Sequence, residues 1–307
     1  MKVAFLGTPR FGALVLGALL RSGHEVVLAI TQPDRPAGRG RQLTAPAVKE
    51  LALAEGLKVM QPESASTPET AALLESLGAR AYTVASFGQI LMPPLLDSLP
   101  GLNVHASLLP RYRGAAPIVR AIMNGETETG VSIMDIVAEL DAGDVYLQRP
   151  VIIEESDDAG SLYEKLGREG GEALVEALDL LEAGDITPEP QDEGAATYAE
   201  KITAAERGID WTRPAQDIFN QVRGLSPHIG AFTAAGGQRL KVWKTALEAG
   251  RGGEPGAVRL EGKRLWVACG EGDLELLEVQ TEGGRRLGAA EFLRGHRRLL
   301  QGGRLGS

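Results

Sequence analysis

Lys2-Val3-Ala4-Phe5-Leu6-Gly7-Thr8-Pro9-Arg10-Phe11-Gly12-Ala13-Leu14-Val15-Leu16-Gly17-Ala18-Leu19 decides the fold class. Lys2–Leu6 is a short, mostly apolar run that ends at Gly7, as a buried strand does. Pro9 then opens a helix, since proline at a helix start forfeits no hydrogen bond. Phe11, Leu14, Val15, Ala18 and Leu19 recur at helical spacing, and Gly23 stops the run. Val26–Ile30 is a β-branched strand, Thr67-Pro68 an N-cap with proline after it, and Gly78 a helix stop. Tyr82–Ser86 and Leu102–Ala106 supply further strands. This alternation predicts an α/β, Rossmann-like, mainly parallel sheet with helices on both faces. Sites in such sheets gather at the carboxyl ends of strands. The turn Gly7–Gly12 lacks the Gly-x-Gly-x-x-Gly spacing that brings backbone close to a pyrophosphate, so a dinucleotide site is not predicted there.

The pattern changes along the chain. Asp157–Glu182 is a helical stretch dense in Leu, Ala and Glu. Residues 184–206, rich in Pro, Gly, Asp and Glu, read as a linker. A helix at about Pro214–Arg223 then precedes Ala231–Thr233, Leu240–Trp243, Ala257–Leu260, Leu265–Ala268 and Leu274–Val279. Five short strands separated by glycines predict a small OB-like β-barrel over residues 207–307, after a first domain of residues 1–183. A basic helix, Ala289–Leu300, follows, and Gly302–Ser307 is expected to be disordered.

The composition, 43% hydrophobic and 24% charged over 307 residues, is that of a globular protein. No apolar run approaches the ~20 residues of a membrane span, and the short apolar start is no signal peptide, so a cytoplasmic location is expected. Cys269 is the single cysteine, which excludes an intrachain disulfide and a cysteine metal cluster. The four histidines, at 24, 105, 228 and 296, are scattered, and no metal is expected. Net charge is −9, but it is unevenly spread. Residues 207–307 hold 16 basic against 11 acidic residues (+5), and the others 16 against 30 (−14). Such a split fits one segment meeting a polyanion, and equally two differently solvated surfaces.

Chemistry concentrates in the middle of the chain. Asn103 and His105 are two apart in a strand and therefore share a face, which Ser107 continues into a loop. Leu140-Asp141-Ala142-Gly143-Asp144, after the apolar run Val131–Val137, can bring a carboxylate to the same place. An amide and an imidazole can hold the negative charge that forms when an amine attacks an acyl carbon, and a carboxylate can orient the imidazole. Such a set suits acyl transfer to an amine without a covalent intermediate. The loop Ser107-Leu108-Leu109-Pro110, apolar apart from its hydroxyl, suits a flat heterocycle held by backbone groups. In Thr31–Leu43, Gly and Pro predict irregular backbone carrying Arg35, Arg39 and Arg41, which suit a phosphate backbone.

These motifs resemble the 10-formyltetrahydrofolate-dependent formyltransferases: Asn103, His105, Ser107–Pro117 and Leu140–Asp144 match in order and spacing. The resemblance implies Asn103, His105 and Asp141 as catalytic residues. It implies Ser107, Leu108, Leu109 and Pro110 as folate contacts, with Ile90 and Leu91 of Phe87–Leu91 as a second folate segment. Residues 31–49 resemble the loop of those family members that act on initiator methionyl-tRNA, which implies Arg35, Arg39, Arg41 and Lys49 as tRNA contacts. In the C-terminal part, Lys241, Lys244, Arg297 and Arg298 are expected to add to that surface. The implied reaction is transfer of formyl from 10-formyltetrahydrofolate to the α-amine of methionyl initiator tRNA, giving N-formylmethionyl-tRNA for translation initiation. The alternative is an amino sugar or other small amine as acceptor. No membrane and no obligate protein partner are implied.

Overall fold

The computed structural model describes residues 1–37, 42–248, 250 and 252–306. In chain order it places β1 (Lys2–Gly7), α1 (Arg10–Leu20), β2 (Glu25–Ile30), β3 (Arg35–Ala37), β4 (Gln42–Thr44), α2 (Ala47–Ala54), β5 (Val59–Met60), α3 (Pro68–Ser76), β6 (Ala81–Ala85) and β7 (Gly101–His105). There follow α4 (Pro117–Met123), β8 (Glu128–Asp135), β9 (Val145–Ile152), α5 (Ala159–Ala183), α6 (Ala215–Leu225), β10 (Ala231–Ala235) and β11 (Gln238–Glu248). The last elements are β12 (Val258–Glu261), β13 (Arg264–Ala268), β14 (Asp273–Thr281), β15 (Leu287–Gly288) and α7 (Ala289–His296). Two compact units result: Met1–Gly114 with Glu128–Ile152 and Tyr163–Ala199, and Ala115–Thr127 with Ile153–Leu162 and Glu200–Ser307.

The first unit is built on a sheet ordered β5-β2-β1-β6-β7-β8-β9. Strands β5 to β7 are parallel, and β8 and β9 are antiparallel to their neighbours. Helices cover both faces. On one, α5 lies close to the sheet because it carries glycines where other helices carry side chains. A Cβ at Gly170 would stand 2.6 Å from Val104 of β7, and one at Gly171 would stand 2.5 Å from Ala18 of α1. On the other face, Leu74 of α3 packs with Ala4, Leu6, Tyr82 and Val84 of the sheet. The Rossmann-like expectation therefore holds.

The second unit is an antiparallel sheet ordered β10-β11-β14-β13-β12, with β15 added to β14. Its core joins Ile218, Phe219 and Val222 of α6 to Leu240, Val242, Val267, Leu274 and Leu276 of the sheet. The five strands expected here are present. The tail differs from expectation: Leu305 is 1% exposed and belongs to this core, and Leu305 N–H donates to Gly256 O at 2.8 Å. A second departure is in the first unit: within residues 31–43, expected to be irregular, Arg35–Ala37 forms β3 and pairs with Gln42–Thr44 of β4, Arg35↔Thr44 to Ala37↔Gln42, while residues 31–34 carry no regular structure.

Within the second unit Arg120 pairs with Glu206, and the N–H and hydroxyl of Thr203 each donate to Glu206 Oε2 at 2.8 Å. Arg120 first, then Thr203, hold this carboxyl down at about 2, below the ordinary 4.5. A depressed carboxyl pKa stabilises the folded state above the unfolded value, and that gain is lost as pH falls through the folded one. Glu206→Gln is therefore expected to lower the melting temperature near neutrality and to flatten its fall between about pH 4.5 and 2, read by calorimetry.

Candidate active site

The site is built on the face of β7 opposite α5. Val104 points at Gly170 of α5, so its strand neighbours Asn103 and His105 point the other way. Ser132 of β8 and Gln148 of β9 lie in register beyond His105, which makes this a polar strip at the carboxyl end of β7. Asn103 is partly exposed, and its side-chain amide has no hydrogen-bond partner among the described residues. His105, 6% exposed, makes one hydrogen bond through its ring. Nε2 lies 2.9 Å from Tyr112 O, a carbonyl that can only accept, so Nε2 carries the proton. Nδ1 stands 3.6 Å from Asp141 Oδ2.

Asp141 reaches His105 by a detour. Because β8 is antiparallel to β7, it ends at Asp135 opposite Leu102, three residues and roughly 10 Å short of His105 along the strand. Residues 136–143 make up the distance. Asp141 itself has φ +50°, the left-handed region that a non-glycine residue enters at a cost of order 1–3 kcal/mol. Its Oδ2 accepts the Gly114 N–H at 2.7 Å, which fixes the carboxylate. Tyr112, whose carbonyl faces His105, also has a positive φ, +60°. Backbone strain thus flanks the imidazole on both sides, as expected of a position selected for chemistry.

The loop 107–114 is a rigid support. Ser107 O accepts from Ser132 Oγ (2.7 Å), Leu109 O from Gln148 Nε2 (2.8 Å) and Arg111 O from Ser107 Oγ (2.6 Å), while Leu109 N–H donates to Ser132 Oγ (3.0 Å). Ser107 and Leu109 are buried, while Leu108 and Pro110 are partly exposed. The backbone groups that were expected to grip a heterocycle are therefore largely engaged inside the protein. Of the second segment expected to meet folate, Ile90 is 80% exposed and Leu91 is buried; Leu140, next to Asp141 in the chain, is 63% exposed.

A contribution absent from the sequence reading comes from residues 190–199, within the expected linker. Tyr112 N–H donates to Thr197 Oγ1 (2.9 Å), Arg113 N–H to Thr197 O (2.8 Å) and Ala199 N–H to Arg113 O (2.7 Å). Gln191 Nε2 donates to the carbonyls of Asp141 (2.9 Å) and Gly143 (2.7 Å). Nothing in a run of Pro, Asp and Glu marks such residues in advance.

Among the residues expected to meet tRNA, Arg39 and Arg41 lie outside the described residues. Arg35 is exposed on β3 and donates to Gln32 Oε1 at 3.4 Å. Lys49 sits at the base of the hairpin with its ammonium 2.8 Å from Asp34 Oδ2, and Gln61 Nε2 donates to Asp34 Oδ1 at 2.8 Å. Lys49 first, then Gln61, hold the Asp34 carboxyl below its ordinary value. In the second unit Lys244, Arg297 and Arg298 are exposed, and Lys241 Nζ lies 5.0 Å from the Trp243 ring centre. Among the described residues no group of three or more His, Cys, Asp or Glu could hold a metal ion, and no helix is long and apolar enough to cross a membrane.

Comparison with known proteins gives the family. Residues 1–178 match the family described as formyl transferase, and residues 201–297 match formyl transferase, C-terminal domain. The methionyl-tRNA formyltransferase of Solibacter usitatus is 48% identical over 309 residues, covering 100% of this chain and 99% of that one. HypX from Aquifex aeolicus, solved in complex with tetrahydrofolic acid, shares the fold at 20% identity with a TM-score of 0.66, over 98% of this chain and 48% of that one. So does the N-formyltransferase from Helicobacter canadensis solved with folinic acid and dTDP-3-aminofucose, at 17% identity, a TM-score of 0.66, and 94% and 100% coverage. At those identities the two structures speak for the fold alone, whereas the relative that is 48% identical along its whole length places the sequence itself. The chain belongs to the formyl transferase family, among its methionyl-tRNA formyltransferases.

Proposed function

We propose that this chain transfers the formyl group of 10-formyltetrahydrofolate to the α-amine of methionyl initiator tRNA, giving N-formylmethionyl-tRNA for translation initiation. The observation that carries this reading is the uncommitted Asn103 amide beside a His105–Asp141 pair, in a chain 48% identical end to end to a methionyl-tRNA formyltransferase. 10-Formyltetrahydrofolate supplies an electrophilic formyl carbon. Asn103 donates to the formyl oxygen as the amine attacks, where negative charge collects; one such donor is worth about 2.7–4 kcal/mol of barrier. His105 keeps Nε2–H on Tyr112 O, which leaves Nδ1 to take up and pass on the proton that the amine releases. Asp141, fixed by Gly114 N–H, faces the charge His105 then carries. In the balance, the carbon–nitrogen bond to the amine forms, the bond to folate N10 breaks, and one amine proton ends on N10. The amine needs little activation, since α-amino groups titrate near ~7.7–8.0.

Residues 1–183 are the catalytic part in this reading, 184–206 connect, and 207–307 add a tRNA-binding surface through Lys241, Lys244, Arg297 and Arg298. Ile90 and Leu140 are the exposed apolar side chains that a pterin ring would cover, with Leu91 and Ser107–Pro110 shaping the wall behind. Arg35, Arg39 and Arg41 meet phosphates, and Lys49, paired with Asp34, braces the segment that leads into β3. The protein is expected to act in the cytoplasm, without a metal or an obligate protein partner.

The test is transfer of labelled formyl from 10-formyltetrahydrofolate with methionyl initiator tRNA, free methionine and a nucleotide-linked amino sugar offered side by side. Label on the tRNA alone is expected. Label on the amino sugar would make this a small-amine enzyme, and label on no acceptor would end the reading.

A further inference from the structure

Arg113 is the largest side chain the fold buries completely, at 2% exposure, and no step of the reaction above uses it. Its guanidinium is held by the 184–206 segment, with Gln191, Glu193 and Tyr198 as partners. Nε and one terminal nitrogen donate to Gln191 Oε1 at 3.1 and 2.8 Å, and the two terminal nitrogens donate to the Glu193 carboxylate at 3.0 and 2.7 Å. The consequence falls on Gln191. With Oε1 occupied by a cation, its amide has one orientation, and Nε2 must face away from Arg113. It faces Asp141 O and Gly143 O, at 2.9 and 2.7 Å.

Those carbonyls bracket the turn that carries the carboxylate. Asp141 holds a left-handed φ of +50°, and Gly143 is so close to the β8 end that a Cβ there would stand 2.1 Å from Asp135 O. A turn strained at one residue and crowded at another relaxes unless something outside it holds it. Two N–H donors from a single locked amide are that constraint. Arg113 also adjoins Gly114, whose N–H binds the Asp141 carboxylate, so one buried cation serves both ends of the Asp141 residue.

We propose that Gln191, locked by Arg113 and Glu193, is the positioning residue for Asp141, so that a segment read as a connection completes the catalytic site. The inference rests on the formyl-transfer reading of that site. Gln191→Glu separates positioning from folding: a carboxylate still pairs with Arg113 but has no N–H to give the two carbonyls. The expected result is a kcat lower by about 10²-fold, the loss typical of a 1 Å displacement at a reacting group, with KM for folate and for tRNA within about twofold of the parent. In an Asp141→Asn background the same change is expected to cost less than about twofold, because a residue that acts through Asp141 has nothing left to position. Gln191→Met, uncharged and close in size, repeats the measurement should the glutamate variant fail to fold.

An unchanged kcat, a loss appearing in KM, or an undiminished loss in the Asp141→Asn background would each overturn the proposal. The parent protein distinguishes the two levels. Transfer by the parent with an indifferent Gln191→Glu variant removes the positioning role alone. No transfer by the parent removes the functional reading and the positioning role together.

Discussion

Asn103→Ala is expected to lower kcat for formyl transfer by about 10²–10³-fold, the effect of removing one donor to a developing oxyanion. Its folding stability is expected to stay within about 0.5 kcal/mol of the parent, because the amide has no partner among the described residues and its loss strands nothing buried. The strand is unaffected, since Asn103 is held in β7 by backbone pairing to Val84 and Met134. Affinity for tRNA should be nearly unchanged, with the same steep salt dependence as the parent, because that dependence counts phosphate contacts made by other residues. Asn103→Asp is the stricter version: the shape is kept, the donor is replaced by an anion, and the loss should exceed that of alanine. Single-turnover rates with saturating folate separate the chemical step from binding. If either variant mainly weakens tRNA binding, Asn103 is not the oxyanion donor.

How much of this was legible in the sequence depended on the range over which each residue acts. Asn103 and His105 declare a shared face by their spacing alone, and proline and glycine mark the ends of α1 and α3 locally. The arrival of Asp141 beside His105 was legible only as an expectation, because antiparallel β8 places its end opposite Leu102 and a detour of eight residues closes the gap. Gln191 and Arg113 were not legible at all. Their role depends on contacts between positions 78 apart, and the intervening composition resembles any polar connection. The loop Ser107–Pro110 was legible only in its residue types, which suit a heterocycle; the hold of Ser132 and Gln148 on its backbone groups from neighbouring strands was not visible. The hairpin β3–β4 was hidden because a three-residue ladder with proline on one strand carries almost no periodic signal. For Asp141, Gln191 and the loop Ser107–Pro110 the missing information was a partner distant in sequence.

The C-terminal tail shows the same lesson with the largest expected effect on stability. Gly302-Gly303-Arg304-Leu305-Gly306 has the composition of a frayed end, with one apolar residue among three glycines. That one residue is what holds it. Leu305 is 1% exposed in the core of the second unit, and the backbone around it is tied at three points: Val258 N–H to Gly303 O (2.8 Å), Leu305 N–H to Gly256 O (2.8 Å) and Gly306 N–H to Ala234 O (2.9 Å). Gly256 permits the approach, for a Cβ there would stand 2.5 Å from Leu305 O. Leu305→Ala is therefore expected to destabilise the second unit by about 2–5 kcal/mol, the cost of a core leucine whose cavity only partly collapses. For a unit of this size that is a fall of roughly 10 °C in its melting transition. Calorimetry should resolve the shift, while kcat at 25 °C stays near the parent value because Asn103, His105 and Asp141 belong to the other unit. Deleting residues 302–307 should cost more than Leu305→Ala, since the three backbone ties go as well. A variant Leu305→Ala that melts with the parent would mean that the tail merely rests on the core, and that the original expectation of a disordered end was correct.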